Sequence, residues 1–568
     1  MTPVSLAKAA LDADRAHADP AIWITRLPDK AVLARAKALE DEGPRGRTLW
    51  GVPFAVKDNI DVAGLPTTAA CPDFAYVPTE SAPAVQALLD QGALLIGKTN
   101  LDQFATGLVG TRSPYGMPRN LFDPNLVPGG SSSGSGCAVA AGIVPFALGT
   151  DTAGSGRVPA AFGNIVGLKP TVGSVSARGM VPACRSVDTI SVFARTVDEV
   201  LRVQRVMAFY DEADPHSRVA PYAHLRRGVP APAYQVAMGD VAELCDSEVA
   251  AAFQATGAAL GAEKVDLAIF LEIARLLYEG PWVAERTADL RTFLQEHPDS
   301  LYPATRHILE LGLERLSVDA FEAFHLLAKA RRHAAVLFSR FDALLLPTVP
   351  FCPTLAEVEA DPLNPNRRLG TFTNFANLCD LAGFAVPMGF TPGGAPIGGV
   401  LLGPAWSEGR IAPLADALHR RTTAIVGATK AKLPLPATPD ALETGETALF
   451  CIGAHMAGLE LNRQVTDLGG RLLREAVTAP HYRLYALGDR PGLVRAADGA
   501  AIAGEVWALP TTAIGKLLVQ VPAPLCFGSV SLDNGPCLGF LAEQAGVDGA
   551  EDITQHGGWR AWLAASRT

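Results

Sequence analysis

The chain has 568 residues, of which 49% are hydrophobic and 19% charged. That composition supplies a large buried core, makes disorder a poor reading, and calls for more than one domain. A formal net charge of −10 and a pI near 5.6 argue against a nucleic-acid binder, which would need a basic surface.

In chain order, Met1–Ala13 is a mildly amphipathic stretch without an apolar signal core. Ala31–Leu39 reads as a helix at the edge of the main domain. Leu49–Val56 is a short apolar run, interrupted by Pro53, that reads as a strand and delivers Lys57 into a polar turn, Lys57–Asp61. Ala84–Leu89 reads as a helix, and Ala93–Ile96 as a strand ending at Gly97. The alternation continues through Val166–Leu168 and Ala343–Leu346 and implies a mixed or parallel sheet covered by helices. Val241–Phe338 is mostly helical, with Pro281 and Pro303 as starts or breaks. The proline-rich stretch 430–447 reads as a linker, dividing a domain over 1–429 from a smaller one over 448–568. In the latter, Tyr482–Leu487, Gly504–Leu509 and Lys516–Val521 read as strands. No apolar run reaches the ~18 residues of a membrane span; the longest, Ala138–Leu148, is broken by Gly142 and Pro145. The 9 cysteines include no C-x-x-C pair, and their odd number suits a reducing compartment. The expectation is a soluble cytoplasmic protein that binds neither nucleic acid nor membrane.

The chemistry concentrates in Pro128–Pro170, where two Ser/Gly clusters, Gly129–Gly136 and Gly154–Gly156, flank a buried Ala/Val segment. Glycine lets backbone N–H groups converge on a ligand, and serine supplies a nucleophilic or proton-relaying hydroxyl. The pattern reads as turn, buried helix, strand and second turn. A phosphate loop is the competing reading, but G-x-x-x-x-G-K-[ST] is not met. A serine nucleophile needs a base; no histidine lies between His17 and His216, and the G-x-S-x-G elbow is absent. Lysine is the next base, and Lys57 follows an apolar strand. Burial would lower its pKa and free the amine to take a proton, relayed through an intervening serine.

The runs G-G-S-S-S-G-S-G and G-T-D-T-A-G-S-G-R-V-P-A-A, with V-K-D-N-I upstream, resemble the amidase signature family over roughly residues 25–425. The resemblance implies an α/β amidase signature fold with a mixed central sheet. It also implies amide hydrolysis by a Ser–cis-Ser–Lys triad without metal or organic cofactor. Ser155 would then be the nucleophile, Ser131 the bridging residue after a cis peptide, and Lys57 the base. The backbone N–H groups of Thr152, Ala153, Gly154 and Ser155 would form an oxyanion hole, each donor being worth ~3–4 kcal/mol. Asp151 and Arg157 would order the loop, and Ser132 and Ser133 would cap a helix or support it.

Within the family, L-L-Y-E-G-P-W-V-A-E-R is similar to the segment with which allophanate hydrolases hold a small anionic amide, through Tyr278 and Arg286. Arginine's planar fork matches a carboxylate. The competing reading is a Tyr/Arg pair capping a helix, with a salt bridge to Glu279 or Glu285. The segments F-C-I-G-A-H-M-A-G-L, H-Y-R-L-Y-A-L, G-E-V-W-A-L-P and E-D-I-T-Q-H-G-G-W-R-A-W-L resemble the C-terminal domain of the same subfamily. That implies a small α+β domain of γ-glutamyl cyclotransferase-like type, with a contribution to decarboxylating N-carboxycarbamate. His455 is the candidate for a second site, against the reading of a hydrogen-bonding turn residue, while Glu505 reads as structural. The resemblance thus implies allophanate hydrolysis in urea or cyanuric acid breakdown, and a homodimer. A general amidase acting on another small amide, and a non-catalytic assembly subunit, are the competing functions.

Overall fold

The computed structural model describes residues 1–566; the final two residues of the predicted 448–568 domain lie outside them. Contacts divide the chain into two units, one of Met1–Ala220 and Val236–Pro436, the other of Pro221–Gln235 and Ala437 onward.

The first unit is built on strands β1 (Trp23–Arg26), β2 (Pro53–Lys57), β3 (Leu94–Thr99), β4 (Phe146–Asp151), β5 (Val166–Lys169), β6 (Thr189–Ala194), β7 (Val236–Gly239), β8 (Glu263–Val265), β9 (Ala343–Pro347), β10 (Leu381–Phe390) and β11 (Pro396–Pro404). They form an 11-stranded sheet in the order β1-β3-β2-β4-β6-β5-β10-β11-β9-β7-β8. It is mixed: β2 runs parallel to β3 and β4, while β4–β6 and β10–β11 are antiparallel. Every residue of β2, β3, β4, β5, β6 and β9 is buried. Such continuous burial means helices cover both faces of the sheet. Among them, Pro3–His17, Asp29–Glu42 and Ser133–Ala140 supply Ala7, Leu11, Val32, Leu39, Ala138 and Val139 to one shared core.

The parallel pairing positions the site. Because β2 and β4 run side by side with Val56 opposite Leu148, their carboxyl ends emerge together, the edge where α/β sheets place their ligands. Lys57 ends β2 and Asp151 ends β4, so the lysine meets the loop that carries Ser155. The segment Pro128–Pro170 folds as its pattern predicts, with a turn, the buried helix Ser133–Ala140, β4, a second turn and the helix Val158–Gly163. β3 differs from expectation by passing through Gly97 to Thr99, since its partner strands continue on both sides.

The second unit has a five-stranded and a three-stranded sheet. The former joins β12 (Glu446–Cys451), β13 (Arg471–Val477), β16 (Ala503–Pro510), β17 (Leu525–Leu532) and β18 (Gly535–Ala542). The latter joins β14 (Tyr482–Leu487), β15 (Arg490–Arg495) and β19 (Glu551–Asp552). Lys516–Val521, read above as a strand, is instead the end and exit of the helix Thr511–Leu518. Pro510 stops β16, and Ala513 and Leu517, one turn apart, bury one helical face; the short alternation imitated a strand. The linear division at 429/448 also gives way to the contacts. Residues 221–235 join this unit because the Val229 N–H donates to the Leu472 carbonyl at 2.9 Å. Arg471 further ties Arg227 O, Asp440 O, Ala441 O and Glu446 together. Among the described residues no helix is long and apolar enough to cross a membrane.

Candidate active site

Lys57, Ser131 and Ser155 lie in one hydrogen-bonded line. The Lys57 Nζ is 2.7 Å from Ser131 Oγ, and Ser131 Oγ is 2.8 Å from Ser155 Oγ. All three side chains are buried, and the Gly130–Ser131 peptide is cis. Lys57 also donates to Thr150 Oγ1 at 2.7 Å, a partner the sequence did not single out. Burial is the main cause that brings the Lys57 amine down to about 7, against the opposing pull of Asp102, Asp188 and Asp151; the charge of Arg286 adds to the lowering. A neutral amine facing a hydroxyl that faces a second hydroxyl can draw a proton from the far oxygen.

The glycines leave no room for alternatives. A Cβ on Gly130 would stand 2.1 Å from Asp102 Oδ2, and one on Gly154, whose φ is +131°, would stand 2.5 Å from Thr373 Oγ1. Asp102 closes the Ser131 turn from outside, accepting from the Gly110 and Arg112 N–H groups at 3.0 and 2.9 Å.

The loop after β4 is tied down by carboxylates. Asp151 accepts from the Gly154 and Gly156 N–H groups, both at 3.0 Å, and from the Arg157 guanidinium at 2.9 Å. Burial alone would raise the Asp151 pKa, but Arg157, with Lys169 and the Gly156 N–H, outweighs it and the carboxyl stays below its usual range. The expected ordering role of Asp151 and Arg157 is therefore what their contacts do. The predicted oxyanion set needs one correction. The Gly154 N–H is taken by Asp151, while those of Thr152, Ala153 and Ser155 have no partner among the described residues. The Thr152 hydroxyl donates to Asp188. Ser132 and Ser133 do not cap their helix through their side chains; Ser132 Oγ instead lies 3.3 Å from both Thr150 N and Thr150 O.

Tyr278 ends the helix Ala268–Glu279 and Arg286 sits in the next one, Trp282–Glu296. They meet across the bend, the Arg286 guanidinium 5.3 Å from the centre of the Tyr278 ring. Neither makes the alternative salt bridge: Glu279 pairs with Arg367 at 3.0 Å, and Glu285 accepts from Ser186 N and Oγ at 2.8 and 2.7 Å. Arg286 is fully buried and spends one donor on Thr106 Oγ1 at 2.8 Å. Its Nε and Nη2, and the Tyr278 hydroxyl, are buried without a partner. Buried polar groups are nearly always satisfied, so three orphaned donors together mark where a ligand's acceptors belong. Thr106 is gripped from the other side as well, its carbonyl accepting from Arg112 Nη1 at 2.8 Å.

His455 belongs to the second unit. It lines a cavity of about 250 Å³ together with Gln464, Glu460, Asp489, Arg490 and Phe540. Its Nε2 is 2.9 Å from Gln464 Oε1, and its ring stacks on Phe540 with centroids 4.7 Å apart. Burial lowers its pKa, against the opposing effect of the Gln464 hydrogen bond. Glu505 is buried and accepts from Ala457 N, Trp507 Nε1 and Arg560, a structural arrangement.

The comparisons with known proteins find two families along the chain. Residues 8–412 match the amidase family and residues 447–564 match the allophanate hydrolase C-terminal domain. The urea amidolyase of Saccharomyces cerevisiae is 40% identical over 95% of this chain, which covers only 31% of that protein; the chain thus spans about a third of such relatives. A glutamyl-tRNA(Gln) amidotransferase component from Symbiobacterium thermophilum is 35% identical over 74% of this chain and 94% of its own. Among solved structures, the Kluyveromyces lactis allophanate hydrolase superposes with a TM-score of 0.79 at 37% identity, over 100% of this chain and 97% of that one. The chain belongs to the amidase family and carries an allophanate hydrolase C-terminal domain.

Proposed function

We propose that the chain hydrolyses allophanate, the N-carboxylate of urea, and that Lys57, Ser131 and Ser155 carry the reaction. Neutral Lys57 takes the Ser131 proton as Ser131 takes that of Ser155, and the Ser155 oxygen bonds to the terminal amide carbon. The N–H groups of Thr152 and Ala153 receive the developing oxyanion. The proton held on Lys57 returns through Ser131 to the leaving nitrogen, and ammonia departs. Water, deprotonated along the same line, then releases N-carboxycarbamate, which takes up a proton and loses carbon dioxide to leave carbamate; water splits carbamate into the second ammonia and bicarbonate. The observation that carries the choice of substrate is the buried Arg286, with two unpartnered donors beside the unpartnered Tyr278 hydroxyl. That set fits a small carboxylate far better than a neutral amide. Ammonia release from allophanate, malonamate and biuret, by the native enzyme and by Ser155→Ala, tests the reading. Release by Ser155→Ala at the native rate, or a preference for uncharged amides, overturns it.

Three further readings belong to the same proposal. His455 takes part in the decarboxylation step from its cavity in the second unit. The chain works as a homodimer through the apolar face of Ser317–Phe338, on which Val318, Phe321 and Phe324 are 54%, 65% and 56% exposed. On that helix acidic Asp319 and Glu322 precede basic Lys329, Arg331 and Arg332, so an antiparallel copy meets opposite charges. All nine cysteines are unpaired, which supports a cytoplasmic setting.

A further inference from the structure

The loop that follows β4 is fastened at both ends, and the two fastenings differ. Its far end is held by Asp151, the last residue of β4. Its near end is held from outside, by Asp188, which precedes β6. One oxygen of Asp188 accepts the Thr152 hydroxyl; the other accepts the Ala183 and Cys184 N–H groups at 2.7 and 3.0 Å. Asn377 braces the same junction, its Nδ2 donating to Asp151 O at 2.8 Å and Val187 O at 3.0 Å. Asp188 is buried, and among the described residues no cationic side chain forms an ion pair with it. Keeping an unpaired carboxyl there is costly, which calls for a role beyond filling space.

We infer that Asp188 is a positioning residue of the reaction. By fixing the Thr152 side chain it fixes the Thr152–Ala153 peptide, keeping the unpartnered N–H groups of Thr152 and Ala153 turned toward the carbon that Ser155 attacks. The inference rests on the proposed role of Ser155. It goes beyond that role in naming the group that aims the oxyanion donors. Donors that stabilise charge only in the transition state act on kcat and leave ground-state binding alone. In Asp188→Asn the amide that replaces one oxygen would donate to the Thr152 hydroxyl instead of accepting from it, reversing the contact without changing its size.

Steady-state ammonia release from malonamate, per folded enzyme, tests this with Asp188→Asn, Thr152→Val, Thr152→Ser and the double variant Asp188→Asn/Thr152→Val. The expected result is a fall in kcat of about 10- to 100-fold in Asp188→Asn and Thr152→Val with KM within about threefold, as for a weakened oxyanion donor. Thr152→Ser should retain most of the native kcat. The double variant should be no worse than either single one, because the two groups act as a unit. A loss confined to KM, additive losses in the double variant, or native kcat in Asp188→Asn overturns the inference. Ser155→Ala, assayed alongside, separates the two levels. If it is inactive while Asp188→Asn is native-like, only the role of Asp188 fails; if it is active, the underlying mechanism fails.

Discussion

Arg286 offers the sharpest test of what is hydrolysed. One of its donors is committed to Thr106, and two, Nε and Nη2, are buried and free. Arg286→Ala therefore removes two charge-assisted hydrogen bonds to a bound carboxylate, each worth about 1.5–3 kcal/mol. Together they come to about 3–6 kcal/mol, or roughly 10²- to 10⁴-fold in kcat/KM. Water admitted to the vacated space moves the expectation toward the lower bound. A neutral amide loses only the support of Thr106, at most about tenfold for one hydrogen bond. The discriminating quantity is the ratio of kcat/KM for malonamate to that for malonamide, measured by ammonia release. It should collapse by at least about 10-fold in Arg286→Ala and only in part in Arg286→Lys, which keeps the charge but not the fork. Equal losses on both substrates would refute the assignment of the free donors to a carboxylate, whatever their size.

Other outcomes follow from the same geometry. With Lys57 brought down to about 7 by burial, the deprotonated amine is the competent form. The pH profile of kcat/KM should then rise through an apparent pKa near 7 and lose activity below it, and a flat profile from pH 5 to 9 would contradict a lysine base. Gly154→Ala should reduce activity by at least about 100-fold and stability by about 1–3 kcal/mol, because a side chain there is strained in φ and collides with Thr373; ammonia assays and thermal melts check both. His455→Ala should release the first ammonia at the native rate while slowing carbon dioxide evolution, read by a coupled carbonate assay. Phe321→Glu should shift the protein to monomer in light scattering at unchanged thermal stability.

Much of this was readable in the sequence because the chemistry leaves a local trace. Two Ser/Gly clusters at fixed spacing around a buried Ala/Val helix admit few folds, and a lysine ending an apolar strand is an unusual place for a cation. The side chains of Lys57, Ser131 and Ser155 do meet. What the sequence concealed was the support around them. Thr150, Asp102 and Asp188 are unremarkable in pattern, and their contacts arise only when distant segments converge; Asp188 lies 36 residues from the Thr152 it holds. Gly154 looked like one more oxyanion donor until Asp151 was seen to occupy its N–H. Lys516–Val521 failed for another reason: six residues are too few to separate a period of 2 from the end of a helix.

The supporting residues bear on how a lysine could serve as the proposed base. Three carboxylates, Asp102, Asp188 and Asp151, surround Lys57, and each acts to keep it charged. Unopposed, they would hold the amine protonated and leave it no capacity to accept. Two of the three face an arginine of their own, Asp102 the charge of Arg112 and Asp151 the paired guanidinium of Arg157. The third, Asp188, is itself pushed up to about 6, mainly by burial, which thins its negative charge near neutrality. Arg286 adds its own repulsion, and desolvation outweighs the pull of the acids and decides the state of the amine. In the proposed mechanism the buried arginines thus act at one remove: they answer the acids that order the backbone, so that acids can order it without charging the lysine.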